Sequence, residues 1–118
     1  MKKIYKQAQA LALTNGEKYH VACILWRRNK PVYIGVNSSK KDERFIRRVS
    51  DGSLIDTLHA EMDALRFAQH GDRLEVLRFL KDGEITMARP CRFCQKYISK
   101  SGVEKVLYTD WEGTWRLL

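Results

Sequence analysis

Apolar residues recur at near-helical spacing over residues 3–13, where Ile4, Ala8, Leu11 and Ala12 can share one face. Thr14-Asn15-Gly16 supplies a C-terminal stop, so the spacing predicts a short first helix. The pattern changes over residues 19–26, a β-branched and aromatic run that reads as a strand buried on both faces. Cys23 falls in its middle as a small core residue, and His20 at its entrance reads as structural. After the polar turn Arg27-Arg28-Asn29-Lys30, residues 31–36 read as the returning strand of a hairpin. Helical spacing returns over residues 54–69. Leu54, Leu58, Met62, Leu65 and Ala68 form the stripe, Asp56 or Thr57 the N-cap, and His70 belongs to the last turn before Gly71. Residues 74–80 alternate poorly, but the turn signal Lys81-Asp82-Gly83-Glu84 favours a strand there, with residues 85–88 as the next one.

Pro90 suits the first turn of a further helix, one running to Lys100 or Ser101 and stopping at Gly102, with Tyr97 and Ile98 facing inward. Residues 103–108 then form a strand parallel to the earlier one, joined by a right-handed crossover. Too few residues follow Trp111-Glu112-Gly113-Thr114 for another crossover, so residues 115–118 must return antiparallel. Together these elements predict one α/β domain over residues 1–118.

Composition narrows the class. A chain of 118 residues, 44% hydrophobic with two prolines and seven glycines, suits an ordered single core. No apolar run reaches membrane-spanning length and the N-terminus lacks the apolar segment of a signal peptide, so the expectation is an intracellular, cytoplasmic protein without a membrane partner. The net charge of +8 is uneven: residues 1–50 carry +9 and residues 51–118 carry −1. Such asymmetry points to an anionic partner or to a solvated basic face.

The chemistry is concentrated in His59-Ala60-Glu61 and, separated from Glu61 by twenty-eight residues, Pro90-Cys91-Arg92-Phe93-Cys94. One imidazole and two thiols make three ligands, the number a catalytic zinc takes when water holds its fourth position. Glu61 is too near His59 to be a fourth ligand but can act on that water. A redox C-x-x-C is the competing reading, which the proline before the motif and the upstream histidine disfavour. A structural zinc staple would need a fourth protein ligand, and His20, His70 and Cys23 do not stand at ligating spacing.

H-x-E followed by P-C-x-x-C resembles the signature of the zinc-dependent cytidine and deoxycytidylate deaminase superfamily. The resemblance implies a three-layer α/β/α fold with a mixed sheet of roughly five strands, the last an antiparallel hairpin. It implies zinc held by His59, Cys91 and Cys94, with hydroxide generated there attacking C4 of a cytosine, or C6 of an adenine, while Glu61 shuttles the proton. It also implies substrate contacts from Asn37, at the end of the second strand, and from Ala60 and the turn at Pro90-Cys91 at the base edge. Asn37 has a plainer reading as the start of the turn Asn37-Ser38-Ser39. Within the superfamily an antiparallel ending marks the free cytidine deaminases, whereas histidine at position 59 and Arg89 before the proline depart from their usual residues.

Residues 38–52 are the longest connection, with Lys40, Lys41, Arg44, Arg47 and Arg48 around Phe45. Cations beside an aromatic suit single-stranded nucleic acid, and equally a solvated loop. Three functions follow: hydrolytic deamination of cytosine in a nucleoside or nucleotide, deamination of a base in a polynucleotide held by that loop, or a non-enzymatic zinc-stabilised nucleic-acid-binding domain. An exposed Trp111 or Trp115 would mark the interface of a homo-oligomer.

Overall fold

The computed structural model describes residues 1–41, 47–48, 54–55 and 57–118, with side chains for residues 1–39 and 58–118. In chain order the elements are α1 (Lys3–Leu13), β1 (His20–Arg27), β2 (Lys30–Val36), β3 (Ser38–Lys41), β4 (Arg47–Arg48), β5 (Leu54–Ile55), β6 (Thr57–Leu58), α2 (Ala60–Leu65), β7 (Arg73–Phe79), β8 (Ile85–Thr86), α3 (Arg92–Lys100), β9 (Lys105–Thr109) and β10 (Trp115–Leu117). The main sheet runs β10-β9-β7-β1-β2, with β8 paired to the end of β7. β7 and β9 are parallel, and every other pair in this sheet is antiparallel. The antiparallel last strand expected from the sequence is present.

Strand alternation decides the layers. From β1, Ala22 and Ile24 join Leu77 and Phe79 of β7 under Ala8 and Ala12 of α1. On the opposite face Cys23, Leu25, Leu74 and Val76 pack with Ala60 and Ala64 of α2 and Ile98 of α3. The result is three layers, α1 on one side of a mixed sheet and α2 with α3 on the other. Both central strands are covered on both faces, which is why neither alternates in hydropathy.

The hairpin between β1 and β2 turns at Arg28 and Asn29, both at positive φ (52° and 65°). Its register slips between Leu25 and Trp26, so Trp26 stands opposite Pro31. β2 is an edge strand whose Lys30, Pro31 and Val32 are exposed.

Three local expectations need correction. The predicted helix over 54–69 is shorter: Leu54–Ile55 and Thr57–Leu58 are extended, and α2 begins after His59, which takes the N-cap place expected of Asp56 or Thr57. Apolar residues at 54, 55 and 58 satisfy a strand as well as a helix, and pairing of Leu58 with Ser38 settles the competition. Because α2 ends at Leu65 in tight turns (Phe67 N to Ala64 O, Ala68 N to Leu65 O), His70 sits in a later turn and not in the helix. Pro90 precedes the N-cap Cys91 of α3 and is outside its first turn. Ile98 is buried as expected, and Tyr97 half-buried.

Candidate metal centre and active-site cavity

His59 and Cys91 are both N-cap residues, of α2 and α3, and Cys94 stands one turn into α3. Their helices pack on one face of the sheet, so two segments distant in sequence present their N-termini to a common point. His59 Nδ1 lies 3.2 Å from Cys94 Sγ and 3.7 Å from Cys91 Sγ. The three ligand atoms all lie within 4.8 Å of one another. Zinc–nitrogen and zinc–sulfur bonds of ordinary length at a tetrahedral angle set such donors about 3.5 Å apart, so the cluster fits zinc. Cys91 is exposed and Cys94 fully buried.

The thiols are coupled. A hydrogen bond from Cys94, aided by His59, pulls Cys91 down to about 3. Cys94 is pushed the other way, first by Cys91, then by burial and by Glu61. The proton between them therefore rests on Cys94, which donates to the Cys91 thiolate, and a dication at this point would displace it.

Glu61 is 6% exposed, in the first turn of α2. Desolvation raises its pKa, against lowering by a backbone hydrogen bond and by His59. Cys23, fully buried beneath, feels Glu61 in turn: burial first and that carboxylate second hold its thiol protonated. Cys23 is therefore a core residue, as its place in the sequence indicates, but one that borders the site.

α2 is fastened to the sheet by Asp63. Its carboxylate accepts hydrogen bonds from the Tyr33 hydroxyl (3.2 and 3.3 Å), from Val36 N (3.1 Å) and from Arg66. Gly35 lets the helix approach: a Cβ there would stand 2.6 Å from Ala60 O and 2.7 Å from Ala64 N. These contacts hold His59 and Glu61 against the end of β2.

A cavity of about 400 Å3 opens in front of the cluster, within the range of small-molecule sites. His59, Ala60, Glu61 and Cys91 form one wall. Asn37, Tyr19, Val21 and Arg78 form the sheet rim, and Met87, Ala88 and Arg89 complete the lining. Of the residues expected to touch substrate, Asn37 and Ala60 are here. Pro90 is buried outside the lining, with its carbonyl accepting Gln95 Nε2 at 2.9 Å.

Asn37 is already engaged. Its Oδ1 accepts from Val21 N (3.0 Å) and Asn15 Nδ2 (2.8 Å), and its Nδ2 donates to Tyr19 O (3.0 Å), leaving one amide proton uncommitted among the described residues. Arg44 lies outside the described residues, and Lys40, Lys41, Arg47 and Arg48 are described in backbone only. Tyr19, Arg78 and Arg89 were not singled out as contacts, because only strand register brings the first two together. Another cavity, about 520 Å3, lies at the opposite end of β7 and β9, beside Trp26, Arg73 and Lys105, away from the ligand cluster.

No curated protein sequence matches the chain. The dCMP deaminase from the cyanophage S-TIM5 in complex with dCMP and dUMP superposes with a TM-score of 0.59 at 24% identity, covering 93% of this chain and 84% of that one. Its apo form gives 0.55 at 23% identity, covering 93% and 86%. At that identity the likeness is one of fold. In sequence, residues 1–110 match the cytidine and deoxycytidylate deaminase zinc-binding region. A match over all but the last eight residues, on a chain whose histidine and two cysteines converge as a group able to hold a metal ion, places the protein in the cytidine and deoxycytidylate deaminase zinc-binding family.

Proposed function

We propose that the protein deaminates cytosine hydrolytically, in a nucleoside or nucleotide, releasing ammonia and leaving uracil. The observation that carries this reading is the buried Glu61 on the same cavity wall as His59 and Cys91, with Cys94 completing the ligand cluster behind it. When bound by those three residues, zinc supplies the Lewis acidity that brings the pKa of a water from 15.7 toward roughly 7.

The remaining steps belong to the protein. Glu61 takes a proton from the attacking water, delivers it to the ring nitrogen beside C4, and later protonates the departing amine. Its buried setting suits the shuttle, because desolvation raises its proton affinity toward the working range. Water adds to C4 and ammonia leaves, so the atoms balance without a further reactant. In this reading an Nδ2 proton of Asn37 donates to a sugar oxygen and the Ala60 backbone meets the base edge, which their places in the cavity lining support.

The test is ammonia release from cytidine, deoxycytidine, their monophosphates, adenosine and single-stranded oligonucleotides. Cytosine mononucleosides or mononucleotides should be turned over. Glu61→Ala should keep its zinc and its fold yet lose about 10²–10⁴-fold in kcat. Undiminished turnover by that variant would overturn the assignment of Glu61.

A further inference from the structure

Arg78 stands where its strand should carry a core residue. β7 sends Leu74 and Val76 under α2 and α3, and Arg78 is next in the same series. It is half-buried at the end of the strand, facing the cavity. In register it pairs with Val21, whose N–H donates to Asn37 Oδ1. Asn37, Val21 and Arg78 therefore form a row across the sheet rim, opposite the wall that carries His59 and Glu61.

The Arg78 guanidinium lies 5.1 Å from the ring centroid of Tyr19, which is 54% exposed at the cavity mouth. Lys18 Nζ lies 5.6 Å from the same centroid, and Arg89 lines the cavity on another side. Among the described residues no carboxylate is in ion-pair contact with Arg78 or Arg89. Glu61 is the one acidic residue among those lining the cavity. A guanidinium laid against an aromatic ring keeps N–H groups at its edge, the geometry that takes a phosphate through two parallel hydrogen bonds.

We propose that Arg78, supported by Arg89 and walled by Tyr19, is the specificity-determining residue that reads a phosphate on the substrate, so that the site takes a mononucleotide in preference to the free nucleoside. The proposal rests on the deamination reading for its base, but not for its phosphate. Two lining arginines match one phosphate dianion, and the cavity is of small-molecule size.

The experiment uses product-like ligands that do not turn over: uridine and deoxyuridine, each with and without a 5′-phosphate, titrated calorimetrically into the zinc-loaded protein. The phosphate should tighten binding by about tenfold or more. Arg78→Gln should remove most of that advantage, and Arg78→Lys, which keeps the charge but loses the fork, should retain part of it. Zinc content and melting temperature of each variant show whether it is folded, and Arg78→Lys carries the test if Arg78→Gln is not. Equal affinity with and without phosphate overturns the proposal, as does a phosphate advantage untouched by either substitution. An interior cytosine in an oligonucleotide that gains from Arg78 while the mononucleotide does not also overturns it. If adenosine and its monophosphate show the same Arg78-dependent difference and no cytosine compound releases ammonia, the phosphate assignment stands and the deamination reading falls.

Discussion

Cys91 is open to solvent and Cys94 is sealed beneath it, so the two thiols contribute differently to one centre. Removing the exposed one should still abolish metal binding, because two ligands are too few to hold zinc in such a site. Wild-type protein should gain about 2.7 kcal/mol in stability at free zinc a hundredfold above its Kd. Cys91→Ala should gain almost nothing, and chemical denaturation with and without added zinc measures the difference. The convergence of His59, Cys91 and Cys94 was legible in sequence because few other chemistries combine these residue types at such short spacing. Arg78, Tyr19 and Asp63 were not, since an arginine in a strand or an aspartate in a helix acquires its role only from register and packing. Asn37 was legible as a position, whereas its three internal hydrogen bonds were not.

Among the elements, α2 is the one on which the site depends and the one least supported by its own length. Six residues cannot sustain a helix through propensity alone. What holds it is Asp63, bonded to Tyr33 and Val36, and the close approach that Gly35 permits. Gly35→Ala should therefore cost about 1–3 kcal/mol through overpacking. Because the atoms it displaces belong to Ala60 and Ala64, zinc affinity should fall with it; denaturation and metal titration together check this. A loss of stability with unaltered zinc affinity would mean that α2 moves as a unit with its ligands. The length of α2 was misread because five residues with apolar groups at 54, 55 and 58 cannot separate a period of 2 from one of 3.6. The strand β1 was read correctly because β-branched and aromatic residues fill it whichever face they occupy, and β7 because the turn signal Lys81-Asp82-Gly83-Glu84 closes it.

At the scale of the whole molecule, the layers follow from two central strands that are apolar on both faces. Of the +9 carried by residues 1–50, +6 falls on residues 1–39 and +3 on residues 40–50, whose side chains lie outside the described residues, so the reading of the long connection is carried by composition alone. Trp111 is 68% exposed, whereas Trp115 packs its ring against Tyr5 with centroids 5.7 Å apart, so of the two only Trp111 offers an open apolar surface.

Far from the cavity, Arg27 closes the end of β1 onto Asp72 through two hydrogen bonds of 2.9 Å, while Gln69 N donates to the same buried carboxylate. The Arg27 hydrogen bonds hold Asp72 below the usual carboxylate range. A depressed folded-state pKa stabilises above the unfolded value of about 3.9 and is lost as pH falls through the folded one. Arg27→Ala should lower stability near neutrality, because it leaves the buried Asp72 carboxylate without its guanidinium partner. The gap between variant and wild type should close below about pH 4, as denaturation curves across pH would record.

The hairpin that ends with β2 has one more effect, on self-association. An open sheet edge invites a second chain to add a strand, and unprotected edges are where polymers start. Here the edge opens on Lys30 and Pro31, a charge followed by a residue with no N–H to offer, opposite a register slip at Trp26. An incoming strand would find neither a continuous hydrogen-bonding row nor a flat surface at that end. What remains of the edge leads to Gly35, Val36 and Asn37, so the backbone that guards against aggregation also leads directly to the cavity rim.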